Sequence, residues 1–244
     1  MTSPYAQHGF GVGFDWGPAG ADAVPGDIVA VVDVLSFTTA VTVAADLGID
    51  VYPYRWRDET AVAYAAQHDA ALAVGRSQAG PDGVSLSPVT IRRAQNLERL
   101  VLPSPNGSTI SQQLSATGAT VIAVSLRNRL AAAEWVRQRP EARVTAIAAG
   151  ERWRDGSLRP AVEDLWGAGG FLSALRRTDL SPEAGAAVAA YEAVASQLPT
   201  LLHECAGGRE LAAIGYDEDV RIAAELDQSR AVPVLQDGTM FRST

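Results

Sequence analysis

Residues 28–48 read IVAVVDVLSFTTAVTVAADLG, and this stretch decides the fold. Residues 28–32 are five apolar, mostly β-branched side chains in a row, the pattern of a strand buried on both faces. Residues 38–47 have the length and composition of a helix, which Gly48 closes as a C′ residue. The same alternation recurs along the chain. Apolar runs at 51–54, 71–74, 100–102, 121–124 and 144–148 predict further strands, and 58–67, 108–117 and 128–139 predict helices among them. The expected fold class is α/β: three layers, α/β/α, around a mostly parallel or mixed sheet. After Pro160 the pattern turns helical, at 162–177, 182–197, 201–206, 210–214 and 217–226, so the C-terminal part is expected to be helix-rich. The tail VPVLQDGTM (232–240) is expected as an edge strand or coil. Gly/Pro clusters at 17–26 and 80–88 are expected as loops, the second as a mobile flap.

The 244 residues are 47% hydrophobic and 20% charged, the balance of an ordinary soluble globular chain. At roughly 150 residues per domain this suggests a single domain over 1–244, or two lobes hinged near 150–160. No apolar run approaches the ~18 residues of a membrane span. The start of the chain lacks the basic-then-apolar pattern of a signal peptide. The one cysteine, Cys205, has no internal disulfide partner, which points to a cytoplasmic location. Net charge is -8 and the basic residues are scattered, which disfavours nucleic acid as a partner. Lysine is absent altogether, and with it Schiff-base chemistry and the P-loop lysine. His8, His68 and His203 lie in no zinc-binding spacing. Carboxylates, hydroxyls, amides, arginines and backbone N–H groups remain. That inventory suits Mg²⁺ and an anionic substrate.

Ligands of open α/β sheets bind beyond the carboxyl ends of the strands. Asp33 follows 28–32, the turn PSPNGS (103–108) follows 100–102, Ser125 follows 121–124, and Glu151 follows 144–148. Asp33 reads as a metal ligand or nucleophile, with Thr38 and Thr39 at the next helix start, or as a simple turn cap. Ser104, Asn106, Gly107 and Ser108 read as a phosphate cradle, or as a good turn with a good N-cap. Glu151, Glu163 and Asp164 read as metal ligands or a general base. Alternatively, Glu163 and Asp164 only complement the dipole of their helix. Arg76, Asn128 and Asp219 are weaker candidates, Arg76 as a bidentate clamp on an anion. His203 and Cys205 are read as structural.

The ordered set VVDVLSFTTA, SLSPVTI, PSPNGS, SLRNRLA, AAGE…VEDLWGAGG and GYDEDVRIAAELDQSRAVP resembles the 2-phosphosulfolactate phosphatase family over roughly residues 28–233. The resemblance implies an α/β hydrolase, acting with Mg²⁺ on phosphate monoesters of small 2-hydroxy acids and associated with coenzyme M biosynthesis. It places Asp33, Thr38, Thr39, Asn106, Gly107, Asn128, Glu151, Glu163, Asp164 and Asp219 in the matching motifs. Two positions depart from it. Ser36 stands where the family typically has arginine, and Gly75-Arg76-Ser77 stands where it usually has Gly-Glu-Arg.

The function expected from these readings is Mg²⁺-dependent phosphate monoester hydrolysis. Its catalytic residues are Asp33, Glu151 and Asp164, and the metal is held among Asp33, Glu151, Glu163, Asp164 and Asp219. Substrate contacts are expected from Thr38, Thr39, Arg76, Ser104, Asn106, Gly107, Ser108 and Asn128. A phospho-aspartate route through Asp33 is disfavoured, because Leu35 stands where a second Asp is wanted and lysine is missing. The alternative is a non-catalytic binder of small anionic metabolites on the same fold. The expected partner is a small anionic phosphorylated metabolite, with a homodimer left open and neither nucleic acid nor a membrane involved.

Overall fold

The computed structural model describes residues 3–55, 58–80 and 83–244. Strand β1 (Val12–Trp16) leads into α1 (Gly17–Ala23), β2 (Ile28–Val32) into α2 (Phe37–Asp46), and β3 (Asp50–Tyr54) into α3 (Glu59–Gln67). The short β4 (Ala71–Leu72) precedes α4 (Pro88–Arg93). Strands β5 (Arg99–Pro103), β6 (Thr120–Val124) and β7 (Val144–Ala148) alternate with α5 (Gly107–Leu114) and α6 (Arg129–Arg137). A small hairpin, β8 (Glu151–Arg152) and β9 (Leu158–Arg159), follows. Helices α7 (Val162–Leu175), α8 (Pro182–Glu192), α9 (Leu198–Glu204), α10 (Ala206–Ala213) and α11 (Asp217–Ala223) come next, and the hairpin β10 (Pro233–Gln236) and β11 (Met240–Ser243) closes the chain.

Among the described residues the main sheet has nine strands in the order β1-β7-β2-β6-β10-β11-β3-β5-β4. It is mixed. β1, β7, β2 and β6 run parallel to one another, as do β3, β5 and β4. The β10–β11 hairpin joins the two sets through three antiparallel pairings, so the second set runs opposite to the first. The tail is therefore neither an edge strand nor coil but the centre of the sheet. Asp237 (φ 49°) and Gly238 (φ 68°), both in the left-handed region, open the three-residue connection 237–239, and the Thr239 N–H donates to the Gln236 carbonyl at 2.9 Å. Residues 17–23, expected as loop, form α1, with Pro18 in its first turn and Gln113 of α5 donating to the Pro18 carbonyl at 2.9 Å. Residues 81–82 of the expected flap lie outside the described residues.

Alternation along β2 explains the layers. Ile28, Ala30 and Val32 face one apolar cluster with Phe171 and Leu172 of α7, while Val29 and Val31 face another with Phe37, Val41 and Ile110 of α2 and α5. That second cluster also contains Val51, Leu100 and Leu102 of β3 and β5, so the sheet coils to bring both strand sets onto one core. Each such buried Val, Leu, Ile or Phe contributes about 1.5–3 kcal/mol. On the far face α7 lies close against α8, because a side chain at Gly169 would come within 2.0 Å of the Ala187 carbonyl oxygen. No helix among the described residues is long and apolar enough to cross a membrane.

Candidate functional site

β2 is paired on both sides along its whole length, which fixes where its last peptide points. Asp33 follows immediately. The Thr38 hydroxyl donates to the Asp33 carbonyl at 2.8 Å and accepts from its N–H at 3.0 Å, and the Thr39 hydroxyl donates to the Val34 carbonyl at 2.8 Å. Both threonines are fully buried. They peg the β2–α2 turn from behind and do not line the pocket.

The Asp33 carboxylate accepts from the Phe37 N–H at 3.1 Å on Oδ1 and from the Gly107 N–H at 2.9 Å on Oδ2. The second bond spans two strand sets of opposite direction, and it needs a residue without a side chain. A Cβ at Gly107 would sit 2.2 Å from Phe37 Cδ1 and 2.8 Å from Asp33 Oδ2. Burial above all, then the Glu151 charge, push the Asp33 carboxyl up to about 7 against those two N–H groups.

Asp164, in the first turn of α7, accepts from the Val34 N–H at 2.7 Å and the Gly150 N–H at 2.9 Å. It thereby brackets the tips of β2 and β7, which carry Asp33 and Glu151. Burial and the neighbouring Asp33 and Glu163 charges hold its carboxyl well above the usual range. Glu151 opens β8 and accepts from the Asn106 side-chain amide at 3.0 Å. Its carboxyl is raised by burial, which outweighs the Asn106 hydrogen bond and the nearby Arg159. Glu163 is buried, and its charge raises Asp33, Asp164 and Glu151 alike.

The turn after β5 is committed largely to internal bonds. The Ser104 N–H donates to the Tyr54 carbonyl, the Asn106 N–H to Ser104 Oγ at 3.4 Å, and the Gly107 N–H to Asp33. The buried Ser108 hydroxyl donates to the Leu102 carbonyl. These groups shape the site more than they offer donors to it. Asp219 accepts from the Ser87 hydroxyl and from Arg76 Nε at 3.2 Å, and Arg76 Nη2 donates to Ser36 Oγ at 2.7 Å. Asp219 therefore aims an arginine. Its own carboxyl is raised by burial despite those two partners. Asn128 is fully buried with its amide satisfied by the Ser125 N–H and the Ala123 and Ala231 carbonyls, away from the other candidates.

Asp33, Glu151, Asn106, Ser104, Arg76 and Ser36 line one pocket of about 380 Å³, together with Arg55. Asp33 and Glu151 thus share a wall, as the site requires. Arg55 was missed in the sequence, although it directly follows β3 and the strand-end rule reaches it. A second pocket of about 560 Å³ adjoins the first, sharing Leu35, Arg76 and Glu151 and adding Glu163. The larger groove, about 740 Å³ along α6, contains none of these acids.

Among the described residues no three His, Cys, Asp or Glu side chains form a ready-made metal-ligating group. Mg²⁺ does not need one, since it is usually held by one or two carboxylates, waters and substrate phosphate oxygens. The donor set fits that mode: Asp33 and Glu151 face the pocket, and clustered buried acids raise one another as long as no cation balances them. Asp164 and Asp219 fit less well, because neither lines the pocket that Asp33 and Glu151 share.

The fold and site define an α/β protein in which carboxylates from distant strand tips share a pocket with arginine and hydroxyl groups. Residues 19–238 match the family model described as 2-phosphosulpholactate phosphatase. A protein of Thermus thermophilus named probable 2-phosphosulfolactate phosphatase is 31% identical over 233 residues, covering 88% of this chain and 93% of that protein. A protein of Thermotoga petrophila with the same name is 26% identical over 216 residues, covering 86% and 90%. The chain belongs to the 2-phosphosulpholactate phosphatase family.

Proposed function

We propose that the chain hydrolyses the phosphate monoester of a small anionic 2-hydroxy acid, as the names of its relatives suggest, in the cytoplasm and with Mg²⁺. The observation that carries the reading is the shared pocket: Asp33 and Glu151 on one wall, Arg55, Arg76, Ser36 and Ser104 around them. Phosphoryl transfer calls mostly for alignment and charge stabilisation, so a pocket with no strong side-chain nucleophile suffices. Arg76, held by Asp219 and Ser36, presents a pre-aimed cation to the nonbridging oxygens. In the bonds described, Ser36 and Ser104 are acceptors, which leaves each hydroxyl its own proton to donate. Asp33, on the wall of the pocket, would orient the attacking water. Asn106 orients Glu151, and Asp164 keeps the two strand tips in register. Asp33 and Glu151, with Glu163 behind them, would hold Mg²⁺, which would supply charge neutralisation at the phosphate.

Phosphate release from a panel of hydroxy-acid phosphates, with EDTA and with added Mg²⁺, tests the proposal. Turnover should need Mg²⁺. Calorimetric binding of the same esters with no release would replace it by the non-catalytic reading, and turnover indifferent to EDTA would remove the metal.

A further inference from the structure

Two adjacent glycines stand in the first turn of α10, and each meets a different neighbour. A Cβ at Gly208 would lie 2.0 Å from the Leu202 carbonyl oxygen of α9. A Cβ at Gly207 would lie 2.3 Å from Glu163 Oε1 and 3.1 Å from its Cδ. The Glu163 carboxylate thus occupies the space that any side chain at position 207 would fill. Neither glycine has a positive φ, and glycine inside a helix weakens it. Close approach is the reason these two positions carry no side chain.

The corner behind Gly207 is braced. Cys205 caps α10, with its Sγ accepting from the Gly208 N–H at 3.3 Å and donating to the Leu202 carbonyl at 3.1 Å. Gly208 packs against the same carbonyl, so the turn has little room to retreat from Glu163. Glu163 itself is buried and differs from the other acids in what holds it. Asp33 and Asp164 accept from backbone N–H groups and Glu151 accepts from Asn106, whereas no N–H among the described residues donates to Glu163. Its carboxylate is placed by the space left for it. It lines the second pocket with Glu151, Arg76 and Gly207, and its charge reaches Asp33, Asp164 and Glu151.

Resting on the reading of Glu163 as one of the acids that hold Mg²⁺, we propose that Gly207 is a positioning residue for that metal. The bare first turn of α10 lets the Glu163 carboxylate lie within the acid cluster. A side chain at 207 pushes away that carboxylate, the flexible end of its residue, and leaves the backbone where it is. Gly208 is the opposite case, because a side chain there meets backbone.

Binding of Mn²⁺, a spectroscopic stand-in for Mg²⁺, tests this by electron paramagnetic resonance with no ester present. Gly207→Ala should weaken Mn²⁺ binding by about tenfold or more, the loss expected when a group that orients a metal ligand is altered. Glu163→Ala should weaken it at least as much. Gly207→Ala added to Glu163→Ala should then cost nothing further, since the two residues act through one contact. Urea unfolding separates this from a structural role: Gly208→Ala should lower the midpoint, while Gly207→Ala should keep or exceed the wild-type value. If Gly207→Ala alone folds poorly, Glu163→Ala should restore it by emptying the space. Unchanged Mn²⁺ affinity in Gly207→Ala, an equal loss in the Glu163→Ala background, or a folding defect that Glu163→Ala does not repair overturns the proposal. Phosphate release is followed separately. Mn²⁺ affinity lost as expected with no ester hydrolysed keeps the role of Gly207 and removes the phosphatase reading. Mg²⁺-dependent hydrolysis with equal Mn²⁺ affinity in the two proteins does the reverse.

Discussion

Asp33→Asn should abolish activity and, at alkaline pH, stabilise the metal-free protein. Burial first, and the Glu151 charge second, lift the Asp33 carboxyl from 3.8 to about 7. At about 1.36 kcal/mol per unit, holding the charged form in the fold costs about 4 kcal/mol. The folded value lies above the unfolded one. Below about pH 4 the acid is protonated in both states and its full stability is present; as pH rises through about 7 that stability is lost. Asparagine never ionises, so it escapes the loss. It keeps one oxygen for the Phe37 or the Gly107 N–H but turns a donor toward the other, at about 1–3 kcal/mol. The balance at pH 8 is about 2 kcal/mol in favour of the variant, a Tm higher by about 4–8 °C for a chain of this size. At pH 4 the advantage should be gone. Thermal unfolding followed by circular dichroism in EDTA at pH 4, 6 and 8 measures this, with kcat expected to fall at least ~100-fold in parallel. A variant less stable than wild type at pH 8 would refute the claim that the fold holds this carboxylate against its surroundings. Wild-type turnover would remove Asp33 from the mechanism.

Gly107→Ala should destabilise by about 1–3 kcal/mol in urea unfolding, since its Cβ collides with Phe37 and Asp33; an unchanged midpoint would show that the turn has room to move. Arg76→Lys keeps the charge but cannot reach Asp219 and Ser36 with one planar fork, so KM should rise by about tenfold while the fold survives. Equal KM in the two proteins would place Arg76 outside the substrate contacts. Cys205 is buried, and burial first and the Glu163 charge second push its thiol up to about 12, so a thiol reagent at pH 8 should modify it only after unfolding. Rapid modification of the native protein, seen by mass spectrometry, would contradict that burial.

The β2–α2 unit was legible because a run of branched apolar residues cannot end in water, and the acid after it marks the strand tip within one residue. Glu151 was found by the same rule after β7. The β10–β11 hairpin carried its own signal, Asp237-Gly238 between apolar residues, but nothing local says that it joins two strand sets. β1 was missed because Gly13 and Asp15 interrupt its apolar run, and its pairing with β7 comes from residues far along the chain.

The order of residues alone thus determined the alternating elements, the absence of lysine chemistry and the acids at strand tips. Each of these follows from side-chain type and short-range spacing. Tertiary structure alone decided which of those acids reach the pocket. Asp164 and Asp219 were equal candidates beside Asp33 until the fold gave them other work: Asp164 holds the Val34 and Gly150 N–H groups, Asp219 holds Arg76 and Ser87, and neither lines the pocket that Asp33 reaches. A carboxylate has few acceptor positions and takes whatever donor the fold delivers. Its role therefore depends on groups more than a hundred residues away, Val34 at Asp164 and Arg76 and Ser87 at Asp219, which no local pattern encodes.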